Sequence, residues 1–217
     1  MKDNSKTHEQ ENFEIKISKE ELSALQPEKF AGEIIVVDTL DGALNAVSEL
    51  QHEELIGFDT ETKPAFQKGR INHVALLQLS TTSKSYLFRL SKIGLIEEIK
   101  SILENENLLK VGLSIKDDFH NLAKLSPINP KGFIDLQEYV KRFGISDCSL
   151  TKIHAIIFGK RISKSQQLTN WEAQVLTPRQ QEYAALDALA CINIYRALNN
   201  GDFNPETSIY RRLKETE

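Results

Sequence analysis

The stretch Ile56-Gly57-Phe58-Asp59-Thr60-Glu61-Thr62 decides how the rest of the chain is interpreted, because an apolar run ends there in two carboxylates one residue apart. If the run is a strand, alternate side chains share a face, so Asp59 and Glu61 point the same way. Carboxylates this close repel each other unless a cation lies between them or one of them stays protonated. The alternative is a solvent-exposed acidic loop just past a strand end, and the stretch alone leaves both interpretations open.

The composition is that of a protein with one sizeable core. The chain has 217 residues, of which 40% are hydrophobic and 27% charged. The sequence contains no run of about 18 apolar residues, so no membrane partner is expected. Its polar start, Met1 to Glu11, lacks the apolar region of a signal peptide, and two cysteines are too few for a disulfide framework. A reducing, cytoplasmic location is therefore expected.

The net charge of −4 argues against a protein that binds nucleic acid through bulk positive charge. It does not exclude a nuclease. The active-site carboxylates of a nuclease are countered by metal ions, and its substrate groove can be locally basic.

Residue patterns predict an α/β fold, a mixed five- to six-stranded sheet flanked by helices. Strands at Leu55–Glu61, His73–Ser80 and Ser85–Leu90 form an antiparallel meander. The other predicted strands are Ile34–Val37, Leu108–Leu113 and Phe133–Leu136. Helical segments between them cover the two faces of the sheet.

A third acidic residue, Asp118, is predicted to face the core. In a helix capped by Ser114, Asp118 shares a stripe with Ile115 and Leu122, whereas Asp117 faces water. An unpaired carboxylate in the core costs several kcal/mol or takes up a proton. The alternative is an ordinary acidic first turn, which the helix dipole favours.

A fourth acidic residue lies in the buried final helix, which begins after Thr177. Asp187 is the only charged residue in the apolar span 183–192, and Tyr183 lies one turn earlier on the same face. A core tyrosine bonded to a buried aspartate is the alternative. Three inward-facing acidic sites on different elements are explained most simply if they converge on divalent cations. Oxygen ligands without a nearby histidine or cysteine suit Mg²⁺ or Mn²⁺.

Four carboxylates can hold two such ions about 3.5–4 Å apart, the arrangement that clamps the attacking and leaving oxygens in phosphodiester hydrolysis. In this order and spacing, Phe58–Glu61, Val111–Asp118 and Tyr183-x-x-x-Asp187 resemble the three motifs of the DnaQ-like (DEDD, tyrosine-type) 3′→5′ exonucleases. The strands at 73–80 and 85–88 are similar to those of the Werner-syndrome exonuclease domain. Residues 170–171 and 176–185 are similar to that domain and to ribonuclease D.

The resemblance implies a ribonuclease-H-like sheet and stepwise release of nucleoside monophosphates from a free 3′ end of DNA or RNA. It implies that Asp59, Glu61 and Asp187 ligate a first metal ion and that Asp59 also ligates a second. Asp118 would hold the second ion through water, and Tyr183 would orient the attacking water. A catalytically idle nucleic-acid-binding or adaptor module and an endonuclease are the alternatives, and the five matching positions favour an active enzyme.

The resemblance also divides the chain into three parts. These are an N-terminal tail with a short helix (residues 1–30), the exonuclease domain (31–200) and a C-terminal tail (201–217). The expected substrate contacts are basic residues and two residues on or near the first motif: Thr60, Phe66, Lys68, Arg70, Lys160, Arg161 and Lys164. Thr62-Lys63 and Gln166-Gln167-Leu168 depart from residues common in relatives, so substrate preference stays open. Trp171 is expected in the core.

Overall fold

The computed structural model describes residues 13–64 and 73–214. The strands are β1 (Phe13–Ile15), β2 (Glu33–Val37), β3 (Leu55–Thr62), β4 (Val74–Ser80), β5 (Lys84–Phe88), β6 (Leu109–Gly112), β7 (Phe133–Asp135) and β8 (Arg211–Leu213). The α-helices are α1 (Lys19–Ala24), α2 (Leu40–Leu50), α3 (Leu90–Ile93), α4 (Glu97–Glu104), α5 (Ile115–Ala123), α6 (Leu136–Tyr139), α7 (Leu150–Phe158) and α8 (Pro178–Asn199). Across these residues, no helix combines the length and the apolarity needed to cross a membrane.

The main sheet has six strands in the order β2-β5-β4-β3-β6-β7. β3, β4 and β5 pair antiparallel as a meander, whereas β2, β6 and β7 join in parallel. The predicted mixed sheet, a meander plus parallel strands, is confirmed. β3 lies in the interior of the sheet, so the two carboxylates at its end are carried by a strand that is paired on both sides.

The two faces of β3 contact different parts of the protein. Ile56 and Phe58 point into the main hydrophobic core, where Phe58 packs edge-on against Phe133 with 5.1 Å between ring centroids. On the other face, α8 lies so close that a Cβ added at Gly57 would be 1.9 Å from the carbonyl oxygen of Ala188. The absence of a side chain at Gly57 therefore lets α8 sit directly against β3, and the next residues on that face are Asp59 and Glu61.

Helix α8 begins as the sequence predicts. The hydroxyl of Thr177 accepts from the backbone N–H of Gln180, and the Gln180 side chain accepts from the N–H of Thr177. Pro178 occupies the first turn, where a missing N–H costs nothing. Because the following turns present alanine on several sides, the helix is buried against the sheet and carries Asp187 into the interior.

The segments interpreted from sequence as tails meet each other. β1 and β8 form a separate two-stranded antiparallel sheet in which Phe13 lies opposite Leu213. Ile15, at the end of β1, and Ile17, just after it, are both buried in one hydrophobic cluster together with Tyr210. Residues 13–17 and 211–213 therefore belong to the folded structure. The reason is a pairing between segments some 200 residues apart, which local sequence patterns do not reveal.

Candidate active site

Three carboxylates converge where β3 ends beneath α8. Asp59, Glu61 and Asp187 each offer a carboxylate oxygen, and these oxygens all lie within 4.8 Å of one another. Asp59 and Glu61 share a face because strand side chains alternate, and Asp187 reaches them because α8 packs directly over Gly57. Asp59 is partly buried, whereas Glu61 and Asp187 are buried.

Burial and mutual repulsion disfavour the charged forms of these carboxylates. Burial is the main cause that raises the pKa of Asp59 well above its usual value, and repulsion from Asp187 and Glu61 adds to it. Burial likewise raises the pKa of Glu61 to about 9, again with repulsion from Asp187. For Asp187 burial raises the pKa to about 7, against the opposing hydrogen bond from Tyr183. A set of close carboxylate oxygens without a neighbouring nitrogen or sulfur ligand fits a hard divalent cation.

Asp118 lies outside the group of three. Its carboxylate accepts a hydrogen bond from the hydroxyl of Thr60, the residue between Asp59 and Glu61. Burial raises the pKa of Asp118 to about 6, although the Thr60 bond opposes that shift. The charge of Asp118 in turn raises the pKa values of Asp59 and Glu61, so it lies within electrostatic reach of the cluster. Asp117 is exposed, as the helical spacing predicts.

The start of α5 differs from the prediction. Ser114 does not cap the helix with its side chain, and its backbone is left-handed with a φ of 61°. The carboxylate of Asp135, at the end of β7, accepts from the N–H of Ser114 at 2.9 Å and of Ile115 at 3.3 Å. The cap therefore comes from a residue 21 positions later, and this bond fixes the helix that carries Asp118 to the edge of the sheet.

Tyr183 is held between Asp187 and Trp171. Its hydroxyl hydrogen-bonds the Asp187 carboxylate, one helical turn away. Burial and the neighbouring carboxylates raise the pKa of Tyr183 far above its usual value, so the hydroxyl stays protonated at neutral pH. Trp171 is fully buried and packs on the tyrosine with 6.1 Å between ring centroids. Trp171 thus lies in the core, and it supports the ring of Tyr183.

The cluster opens into a cleft of about 310 Å³. Besides the acidic residues and Tyr183, its walls include Cys148, Ser149, Thr151, Lys164 and Gln167. The first three precede or begin α7, and they were not identified as site residues from sequence. Ser149 could be identified as a helix start, but no local signal shows that this start faces the cleft.

The predicted substrate contacts fall into three groups. Thr60 and Lys164 line the cleft. Lys160 and Arg161 do not line it: Lys160 pairs with Glu28 at 3.1 Å, and Arg161 donates from Nε to the carbonyl of Leu25 at 3.0 Å. Both side chains are therefore directed toward the N-terminal segment. Phe66, Lys68 and Arg70 lie outside the described residues.

Comparisons with known proteins agree with this geometry. A sequence model of the family described as 3′-5′ exonuclease matches residues 34–201. The bifunctional 3′-5′ exonuclease/ATP-dependent helicase WRN of Mus musculus is 31% identical over 157 residues, 70% of this chain and 11% of that protein. The Nibbler EXO domain of Aedes aegypti superposes with a TM-score of 0.71 at 25% identity, over 82% of this chain and 96% of that one. Escherichia coli ribonuclease D superposes with a TM-score of 0.70 at 23% identity, over 79% of this chain and 45% of that one.

Fold and acidic cluster together define a hydrolase of the nuclease type. Because the family's sequence pattern spans residues 34–201 of the 217, the chain belongs to the 3′-5′ exonuclease family, whose members act on nucleic acids. The predicted resemblance and the ribonuclease-H-like fold are confirmed. The chain spans only about 11% of the length of the mouse relative.

Proposed function

We propose that this protein is a metal-dependent 3′→5′ exonuclease that hydrolyses phosphodiesters at a free 3′ end and releases nucleoside monophosphates. The observation that carries the proposal is the convergence of Asp59, Glu61 and Asp187 within 4.8 Å at the floor of a cleft. A module that only binds nucleic acid would gain nothing from clustered negative charge facing phosphates.

The four carboxylates are the ligands for two divalent cations, Mg²⁺ or Mn²⁺. Asp59, Glu61 and Asp187 would hold one ion, and Asp59 together with Asp118, which approaches from α5, would serve the second. When bound, the ions supply Lewis-acid stabilisation of the negative charge that develops on the attacking and leaving oxygens. Their charge also relieves the repulsion that raises the pKa values of Asp59 and Glu61.

Tyr183 is the residue that orients the attacking water. Because its pKa is raised far above the usual value, it acts as a hydrogen-bond partner and not as a base. Trp171 keeps the ring in place from behind, with 6.1 Å between centroids. Lys164 lies on the cleft wall and lowers the pKa of Asp187, so its ammonium group lies where it can attract a substrate phosphate.

The test follows labelled strands through hydrolysis. Single-stranded RNA, single-stranded DNA and recessed duplex DNA, each labelled at either end, are incubated with Mg²⁺, with Mn²⁺ or with a chelator. We expect a ladder from the 3′ end and mononucleotide products only when metal is present. Asp187→Ala abolishes the ladder, whereas the matched surface control Asp117→Ala keeps it. Internal cuts would show an endonuclease, and binding without cleavage by the wild-type protein would show an idle module.

A further inference from the structure

A second groove opens beside the active-site cleft and shares its wall. It has a volume of about 520 Å³, compared with about 310 Å³ for the cleft. Four residues line both spaces, so the groove and the cleft adjoin: Ser149, Thr151, Ile162 and Lys164. The cleft, at about 310 Å³, is small for a ligand-binding site. A polymeric substrate whose terminal unit fills it must leave over the neighbouring surface.

The groove is positively charged although the whole chain has a net charge of −4. Each of its ionisable lining residues is cationic, namely Lys19, Lys152, Arg161 and Lys164. Lys152 is partly neutralised by Asp147 at 2.6 Å, whereas Lys19 and Lys164 form no ion pair with the described residues. Both are exposed. The groove therefore attracts anions, and the charge is spread along it instead of concentrated at one point.

Helix α1 forms the outer wall of the groove through Lys19, Leu22 and Ser23. This helix precedes residues 34–201, the part of the chain that matches the exonuclease family. Several backbone bonds attach it. The N–H of Glu28 donates to the carbonyl of Arg161 at 2.9 Å, and the N–H of Arg161 donates to the carbonyl of Gln26 at 3.0 Å.

The far side of α1 is also secured. Arg212 on β8 forms an ion pair with Glu21, and Glu21 completes the capping box of the helix with Ser18. Because α1 is attached on both sides, the backbone at Lys19 is held in place relative to the cleft. A surface that positions a substrate requires this rigidity.

Resting on the exonuclease proposed above, we propose that this groove binds the sugar-phosphate backbone of a single-stranded nucleic acid on the 5′ side of the terminal nucleotide. The spaced cations suit successive phosphates, and Leu22 and Ile162 between them offer an apolar floor for sugars. No aromatic side chain is among the groove's lining residues that the structure describes. Binding there is therefore electrostatic and tolerant of sequence, without stacking of bases.

The test measures binding without catalysis. Fluorescence anisotropy of 5′-labelled single strands of about 12 nucleotides, DNA and RNA, is followed in chelator with the wild-type protein and with Lys19→Glu. Lys19 is the first residue of α1, where a glutamate suits the helix dipole, so the variant keeps its fold. The matched control is Lys131→Glu, an exposed residue that precedes β7. Because β3, β6 and β7 run parallel, Lys131 lies near the end of the strands opposite to the one that carries the carboxylates.

We expect Lys19→Glu to weaken binding about 5- to 10-fold and to lower the slope of log affinity against log salt by roughly 0.7 or more. The loss of affinity caused by Lys19→Glu should be larger for the strand of about 12 nucleotides than for a dinucleotide, and it should be the same for different base sequences. Lys131→Glu should bind like the wild type. Equal affinities of Lys19→Glu and wild type would overturn the proposal. An acidic peptide such as oligoglutamate that binds as tightly as the oligonucleotide would also overturn it, because it would assign the groove to a protein segment.

The outcome is separable from that of the exonuclease assay. If the wild-type protein hydrolyses nucleic acid and Lys19→Glu binds it as tightly as the wild type, the groove proposal fails and the exonuclease proposal stands. If the wild-type protein hydrolyses nothing with either metal and Lys19→Glu loses binding, the exonuclease proposal fails and the groove still binds nucleic acid.

Discussion

The hydroxyl of Thr60 donates a hydrogen bond to the carboxylate of Asp118, joining the central strand to helix α5 at the border of the acidic cluster. Thr60 lies between Asp59 and Glu61 on β3, so a movement of Asp118 is coupled to the strand that carries both. The bond also opposes the burial that raises the pKa of Asp118 to about 6.

Thr60→Val keeps the shape of the side chain and removes this bond. A hydrogen bond to a charged group contributes about 1.5–3 kcal/mol, so we expect activity to fall by about 10-fold or more. The pH at which activity rises should also move upward, because the largest interaction that opposes the effect of burial on the pKa of Asp118 is then removed. Rates measured across pH check both effects, with Thr62→Val as the control on the same strand. A variant with the wild-type rate and pH profile would show that this bond does not serve the site.

Tyr183→Phe removes the hydroxyl that bonds Asp187 and leaves the ring packed on Trp171. Loss of a group that orients the attacking water slows the reaction by about 10²-fold, with little change in KM. Single-turnover rates on a labelled strand measure this. Tyr139→Phe, on a ring that packs with Phe143 away from the cleft, is the matched control. A Tyr183→Phe enzyme as fast as its control would mean that another group orients the water.

The free energy of unfolding should depend on pH, and this dependence should change when metal is added. Burial raises the folded-state pKa values to about 6 for Asp118, about 7 for Asp187 and about 9 for Glu61. A raised pKa contributes stability that is complete below the unfolded value and is lost as the pH rises through the folded value. The free energy of unfolding of the metal-free protein should therefore fall between about pH 5 and about pH 9.

Thermal melts in chelator and in Mn²⁺ test this, since the gain in Tm on adding metal should be larger at about pH 8.5 than at about pH 5.5. Asp187→Asn removes one of the repelling charges. It should flatten the pH dependence of the metal-free protein and reduce the gain from metal. A gain that is the same at both pH values would contradict the assignment of these carboxylates as the ligands.

Gln78 lies directly opposite Asp59 on the neighbouring strand, so the two side chains share a face. Gln78 is fully buried, and neither polar atom of its amide has a hydrogen-bond partner among the described residues. An orphaned buried group costs about 1–3 kcal/mol, so we expect Gln78→Leu to raise the free energy of unfolding by about that order. Chemical denaturation measures the gain.

The same Gln78→Leu variant should be slower. An unpaired amide kept beside a carboxylate of the acidic cluster, at a cost in stability, is typical of a functional site. We expect kcat/KM to fall several-fold, measured with the single-stranded substrate. A variant that is less stable and equally active would show that Gln78 only fills space.

Gly57→Ala should separate α8 from β3. The added Cβ would be 1.9 Å from the carbonyl oxygen of Ala188, a contact between backbones that neither element can relieve without shifting. We expect a loss of about 3 kcal/mol or more in the free energy of unfolding, and a large loss of activity because Asp187 is next to Ala188. Gly42→Ala adds the same methyl group 3.0 Å from the side-chain oxygen of Thr39, which can move, and serves as the control for stability.

The parts of the fold that follow from local patterns could be predicted, and the parts that depend on distant partners could not. The alternation around Asp59 and Glu61, and the isolated charge of Asp187 in an apolar helix, anticipate where these side chains point. The helix start at Ser114 was interpreted wrongly as a side-chain cap. The acceptor is Asp135 on another strand, and only the folded chain brings it there.

The same limit applies to the cleft walls. Cys148 and Thr151 lie in an ordinary loop and helix start, and only the packing of α7 beside α8 turns them toward Asp187. Arg161, which was predicted as a substrate contact, lines the adjoining groove and not the cleft. Its position depends on bonds to residues 25, 26 and 28, near the start of the chain.

The pairing of β1 with β8 has a consequence for synthesis. In the order of synthesis, the last residue of the acidic cluster, Asp187, comes before Arg211–Leu213, the partner strand of β1. The bonds from residues 26 and 28 to Arg161 can therefore form before β1 has a partner. A chain that stopped before Arg211 would keep every carboxylate of the cluster and leave β1 without its partner strand.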